Sequence, residues 1–93
     1  MKRQEQKLED NGYDLEDVEI MLVDDEAYYE SLVGITDDER AVYDKDKMAE
    51  EYAAAYKCSY EEAMEYIEYN IVRALPYYEN DSPKGPILFN KLF

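Results

Sequence analysis

Apolar residues recur along this chain at two spacings, three to four residues in some stretches and two in others, which predicts helices mixed with short strands. Lys2 to Asp10 is built mostly of good helix formers with Leu8 as its apolar position, and Asn11-Gly12 supplies a stop by admitting a left-handed residue. Asp14 then caps a second expected helix that places Leu15, Val18 and Leu22 on one face, with Glu16, Asp17 and Glu19 near its positive end. The run Ile20-Met21-Leu22-Val23 is apolar all round and supports a short buried strand as the competing reading; Asp24 or Asp25 caps a further turn through Tyr28 and Tyr29.

Leu32 to Thr36 and Arg40 to Tyr43 are β-prone runs separated by Asp37-Asp38-Glu39, which predicts an antiparallel hairpin whose left-handed position is filled by Asp or Glu instead of Gly or Asn. Asp44 sits where an N-cap belongs for a helix from Lys45 to about Lys57, with Met48, Tyr52, Ala55 and Tyr56 as one stripe. Ser59-Tyr60-Glu61-Glu62 matches a complete capping box, the most specific local signal in the chain. The helix it opens should run to about Arg73 with Tyr60, Ala63, Met64, Ile67, Ile71 and Leu75 inward, and end ahead of Leu75-Pro76. Tyr77 to Pro86 is expected to be a loop, and Ile87-Leu88-Phe89 a third strand that shields one sheet edge.

These elements give one small α+β domain over residues 1–93, with several short helices on a two- or three-stranded antiparallel sheet. Its parts are a helical stretch (1–31), the hairpin (32–43), a helix pair (45–74) and a C-terminal loop with a strand (75–93). The core is thin: Leu, Ile, Val and Phe total nineteen of 93 residues, and eleven tyrosines supply much of the remaining apolar area.

Charge changes the picture most. The formal net charge is −14, and from Leu8 to Glu39 there are thirteen Asp or Glu residues and no Lys or Arg. Such self-repulsion turns into attraction beside a cationic partner, whereas nucleic acid and anionic membranes are themselves polyanions and are not expected to bind. Histidine is absent and Cys58 is alone, so the usual neutral-pH base, the commonest metal ligand and any internal disulfide are missing. With no apolar run of the roughly 20 residues a bilayer needs, a cytoplasmic setting is expected.

Catalytic patterns fail one by one. Asp44-Lys45-Asp46-Lys47-Met48 opens like a calcium loop, but no Gly follows and position twelve is Ala55. No carboxylate pair stands out as an acid–base couple, and Gly34 lies in no phosphate-cradling loop, so neither an enzyme nor a cofactor is expected. A different constellation remains. Glu61, Glu65 and Glu68 recur at helical spacings that set their Cβ atoms about 5 to 6 Å apart, an interval not far from that of neighbouring phosphates on a strand rising about 3.4 Å per nucleotide. Beside them Glu62, Tyr66, Tyr69 and Arg73 interleave acid with aromatic rings. Carboxylates in place of phosphates and rings in place of bases point to a decoy for an Arg-rich groove, with Asp37, Asp38 and Glu39 as a second contact. The expected partner is a basic protein such as a nucleic-acid-binding nuclease or regulator. A solvated glutamate face is the plain alternative, and an adaptor that holds a partner helix, or a second copy of the chain, near Leu75, Pro76, Tyr77 and Tyr78 is the competing function.

Val33-Gly34-Ile35-Thr36, Arg40-Ala41-Val42-Tyr43-Asp44, Tyr66-Ile67-Glu68-Tyr69-Asn70 and Arg73-Ala74-Leu75-Pro76-Tyr77 resemble the pattern of a family of short acidic, uncharacterised proteins encoded in bacterial genomes, prophages and mobile elements. The resemblance spans about residues 11–89 and departs at Glu39, where the family often carries Gly. It implies no catalytic residue. In size and charge alone the chain is also similar to anti-CRISPR proteins, which occupy nucleic-acid grooves of RNA-guided nucleases.

Overall fold

The structure is a computed structural model that describes residues 2–80 and 83–92. Helix α1 spans Lys2–Asp10, a 3₁₀ turn covers Glu26–Tyr28, and strands β1 (Leu32–Ile35) and β2 (Ala41–Asp44) form the hairpin. Helices α2 (Lys45–Tyr56) and α3 (Tyr60–Asn70) follow, then a 3₁₀ helix at Val72–Tyr78 and strand β3 (Ile87–Phe89). The chain is therefore α+β. Leu8, Tyr28, Leu32, Tyr43, Met48 and Ile67 are buried together where the helices meet the sheet.

The sheet has the order β1-β2-β3 and is mixed, which corrects the expectation of an all-antiparallel sheet. β1 and β2 pair antiparallel, Leu32 opposite Tyr43 and Ile35 opposite Ala41, with a bulge between Leu32 and Gly34. β3 joins β2 in parallel, Val42 opposite Ile87 and Asp44 opposite Phe89. The reason lies in the connection: β2 leads straight into α2, and the helices between β2 and β3 form the long crossover that a parallel neighbour needs. The hairpin loop closes with Glu39 N–H donating to Thr36 O at 2.9 Å and Thr36 N–H to Arg40 O at 2.9 Å. Glu39 takes the left-handed position at φ 64°.

The expected helix from Asp14 to Leu22 is not formed, and neither is the competing strand. Asp14 caps one turn, accepting from Glu16 N–H at 3.0 Å through its side chain and from Val18 N–H at 2.9 Å through its carbonyl. Beyond that turn the chain is irregular to Asp25. Other residues satisfy its backbone. The buried Gln4 amide donates to Val23 O at 2.9 Å and Asp25 O at 3.0 Å, the Tyr43 hydroxyl accepts from Val23 N–H at 3.0 Å, and that hydroxyl donates to Gln4 Oε1. With polar groups paired this way and Leu15, Ile20, Leu22 and Val23 packed on the core, a helix offers little extra, and Asp14, Glu16, Asp17 and Glu19 repel one another without a cation among them.

α2 starts at the Asp44 cap and ends at Lys57, whose left-handed backbone (φ 54°) lets Cys58 N–H reach Ala53 O at 3.1 Å. Its stripe is narrower than expected: Met48 and Ala49 are buried and Tyr52 half-buried, while Ala55 and Tyr56 are exposed. α3 ends at Asn70, short of the expected Arg73, and buries Ala63 and Ile67 while Tyr60 stays exposed. The tighter 3₁₀ helix then carries the chain through Pro76 to Tyr78, where a stop and a loop were expected. Tight turns often finish an α-helix, and the short run asks for few backbone donors, so the missing proline N–H costs little there.

Candidate partner-binding surface

The glutamates of α3 do not share one fate. Glu62 is engaged in the capping box: Ser59 Oγ accepts from Glu62 N–H at 3.1 Å, and Glu62 Oε1 accepts from the Ser59 hydroxyl at 3.1 Å and from Ser59 N–H at 3.5 Å. Glu68 is paired with Lys45, whose stem is largely buried, so its charge is neutralised on the spot. Glu61 and Glu65 remain exposed on the same helix. The Tyr66 ring stacks on Tyr52 at 4.5 Å, and Tyr52 in turn stacks on Tyr28 at 6.4 Å. Tyr69 is the more open ring, 68 % exposed, with the Arg73 guanidinium 4.9 Å from its centroid. The expected ridge is thus reduced to Glu61, Glu65 and an aromatic pair already partly occupied from within.

Asp37, Asp38 and Glu39 all stand exposed at the hairpin tip. The Thr36 hydroxyl donates to Asp38 and holds its carboxyl below the ordinary aspartate value, with Lys84 4.0 Å away as a lesser contributor. Arg40, just beyond the tip, donates from Nε to Gly85 O at 2.9 Å and meets Glu79 at 3.4 Å. The tip is therefore anchored to Glu79, Lys84 and Gly85, and among the described residues no hydrogen bond or ion pair joins it to α3.

Two other places stand out that sequence spacing did not single out. Glu5 and Glu9, one turn apart on α1, rim a hollow together with Glu19, and Glu9 rims a second with Asp14 and Glu16. Among the described residues no Lys or Arg lines either hollow. The cation-free composition was the available signal, but the juxtaposition depends on the irregular path of residues 13–20 across α1. The second place is a half-open cavity of about 420 Å³ between residues 21–25 and the α3–3₁₀ junction. Leu75 and Tyr78 of the expected adaptor groove line it, as does Tyr66, whereas Pro76 and Tyr77 do not. Beneath it the buried Tyr28 hydroxyl finds no hydrogen-bond partner among the described residues, and burial raises its pKa, with the negative charge of Asp25 next.

Among the described residues no three Cys, Asp or Glu side chains gather as a metal-binding set, and no helix is long and apolar enough to cross a membrane. No protein-family model matches the sequence, and no curated protein or solved structure matches it either.

Proposed function

We propose that this chain is a non-catalytic, acidic binding protein that acts in the cytoplasm by occupying a basic, nucleic-acid-binding surface of a partner protein, and so inhibits that partner. The observation that carries this reading is the pair of adjoining hollows that share Glu9 and are rimmed by five carboxylates, with no lining cation among the described residues. The ion pairs seen among the described residues, Arg40–Glu79, Lys45–Glu68 and Lys84–Asp38, engage none of these five carboxylates. The α1 face and residues 14–19 supply the main charge in this reading. Glu61 and Glu65, with Tyr69 as the accessible ring, extend it, and Asp37, Asp38 and Glu39 add a separate contact. Glu62 and Glu68 contribute less because each already has an internal partner, and Tyr66, stacked on Tyr52, lines the apolar cavity instead of this face.

Affinity capture from a bacterial lysate, repeated after nuclease treatment, tests it. Captured proteins should be nucleic-acid binders, should be released by added duplex DNA or RNA, and should dissociate as salt rises from about 0.05 to 0.5 M, because screening shortens the reach of exposed charges. Reversing Glu5, Glu9, Glu16 and Glu19 to Lys should abolish capture, whereas reversing Glu61, Glu65 and Glu68 should only weaken it. Capture indifferent to both salt and competing nucleic acid would reject the decoy. That outcome would favour an adaptor built on the apolar cavity, where Leu75 and Tyr78 meet Tyr66.

A further inference from the structure

We propose that the cavity beside Tyr66 and Tyr78 receives an arginine side chain of the basic partner, with the guanidinium against Asp24 and Asp25 and the aliphatic stem on Ile71 and Leu75. This rests on the reading of a basic partner and specifies the chemistry of one contact.

The cavity, at about 420 Å³, is of ligand size and mostly apolar, and among the described residues no Lys or Arg lines it. Its polar groups are biased toward acceptors. The Asp25 carboxylate is held in place by Ala27 N–H at 2.9 Å and the Tyr56 hydroxyl at 2.8 Å, and a carboxylate has lone pairs to spare beyond those two bonds. Asn70 commits its Nδ2 to Tyr66 O at 3.0 Å, which leaves its carbonyl oxygen as the free end. The Tyr28 hydroxyl is the buried group still short of a partner, and Asp25 and Tyr66, which face it electrostatically, line the same cavity.

Such a wall repels anions, and a purely apolar guest would leave its acceptors without donors. A guanidinium only donates, lies flat against aromatic faces and is less strongly hydrated than an ammonium, which selects arginine over lysine. The protein already makes cation–ring contacts internally, with Arg3 4.4 Å and Lys7 4.8 Å from the Tyr29 centroid and Arg73 4.9 Å from that of Tyr69.

The test is titration of the full-length, isotope-labelled chain with N-acetyl-arginine methylamide, followed by NMR, with the uncharged citrulline analogue as control. Shifts should centre on Val23, Tyr28, Tyr66 and Ile71, and the citrulline probe should bind about tenfold more weakly. Asp24→Asn and Tyr66→Leu should each weaken the arginine probe. Tyr28→Phe should weaken it too while leaving the free protein at least as heat-stable, because it deletes a buried hydroxyl that lacks a partner. Equal binding of the two probes, or shifts confined to α1 and residues 14–19, would overturn the cavity assignment. Capture of basic proteins in the lysate experiment would then stand unaffected, so the two ideas fail separately.

Discussion

The N-terminal stretch from Asn11 to Ser31 and the α2–α3 pair are both acidic, but they are held in opposite ways. In the helix pair the stabilising groups are neighbours in sequence: Asp44 caps α2, Lys57 closes it, and Ser59 and Glu62 cap α3 reciprocally. In the N-terminal stretch they come from afar. Gln4 and Tyr43 satisfy Val23 and Asp25, the Lys7 ammonium donates to Tyr29 O at 2.9 Å, and Glu51 accepts from Glu30 N–H at 3.1 Å and from the Ser31 hydroxyl. Local signals fix local structure only where they agree with one another. A lone aspartate cap such as Asp14 starts a turn but does not extend it when the following residues repel and distant side chains offer better partners.

The sharpest way to break this contrast is to remove the distant support. Gln4→Ala removes one of the two partners of Val23 O, Asp25 O and the Tyr43 hydroxyl, which keep only the N–H groups of Asp25, Tyr28 and Val23 respectively. The expected cost is about 3 kcal/mol, from three lost hydrogen bonds at roughly 1 kcal/mol each. In a domain of this size that lowers the unfolding midpoint by well over 10 °C, at about 4 to 8 °C per kcal/mol. Urea unfolding with hydrogen exchange should show protection lost first between residues 20 and 28 and retained in α2 and α3. A change under about 0.5 kcal/mol, typical of a surface site, would mean that the network does not hold the segment.

A smaller effect comes from removing a local support. Ser59→Ala deletes the acceptor for Glu62 N–H and should cost about 1 kcal/mol, whereas Ser59→Asp should keep most of the stability. The loss should appear as fraying in the first turn of α3 and leave the 20–28 region protected. If Ser59→Ala instead loosened the N-terminal stretch, the two regions would be coupled and the distinction between local and distant support would fail.

The same distinction explains what could be read from the chain before its structure. α1, the hairpin, the Asp44 and Ser59 caps and the short strand at Ile87 follow from residues adjacent in sequence. The irregular path after Asp14 did not, because nothing within it announces that a glutamine nineteen residues upstream of Val23 will be buried under it. The direction of β3 was equally hidden: Ile87-Leu88-Phe89 reads as a strand from its residue types, but parallel pairing is decided by how the intervening helices return the chain. For the surface, spacing brought Glu61, Glu65 and Glu68 into line on α3 but could not reveal that Lys45 would take Glu68. The Glu5, Glu9 and Glu19 grouping needed the tertiary path, since the cation-free stretch takes in Glu9 and Glu19 but not Glu5, which lies between Arg3 and Lys7 in sequence.

The hairpin tip is the intermediate case, where a local signal and local structure agree at some cost. Glu39 is held at φ 64° to complete the three-residue loop, a conformation that costs a non-glycine residue roughly 1 kcal/mol or more. Glu39→Gly relieves that strain but enlarges the freedom of the unfolded chain, so the net gain should be only about 0.5 kcal/mol. It also removes one of three adjacent carboxylates, and Glu39→Gln separates the two causes because it discharges the side chain while keeping the strained backbone. Denaturation at low and high salt should show that Glu39→Gly stabilises at both, whereas any benefit of Glu39→Gln fades as salt screens Asp37 and Asp38. Equal, salt-sensitive gains from the two substitutions would assign the tip's cost to charge repulsion and leave the left-handed backbone essentially free of penalty.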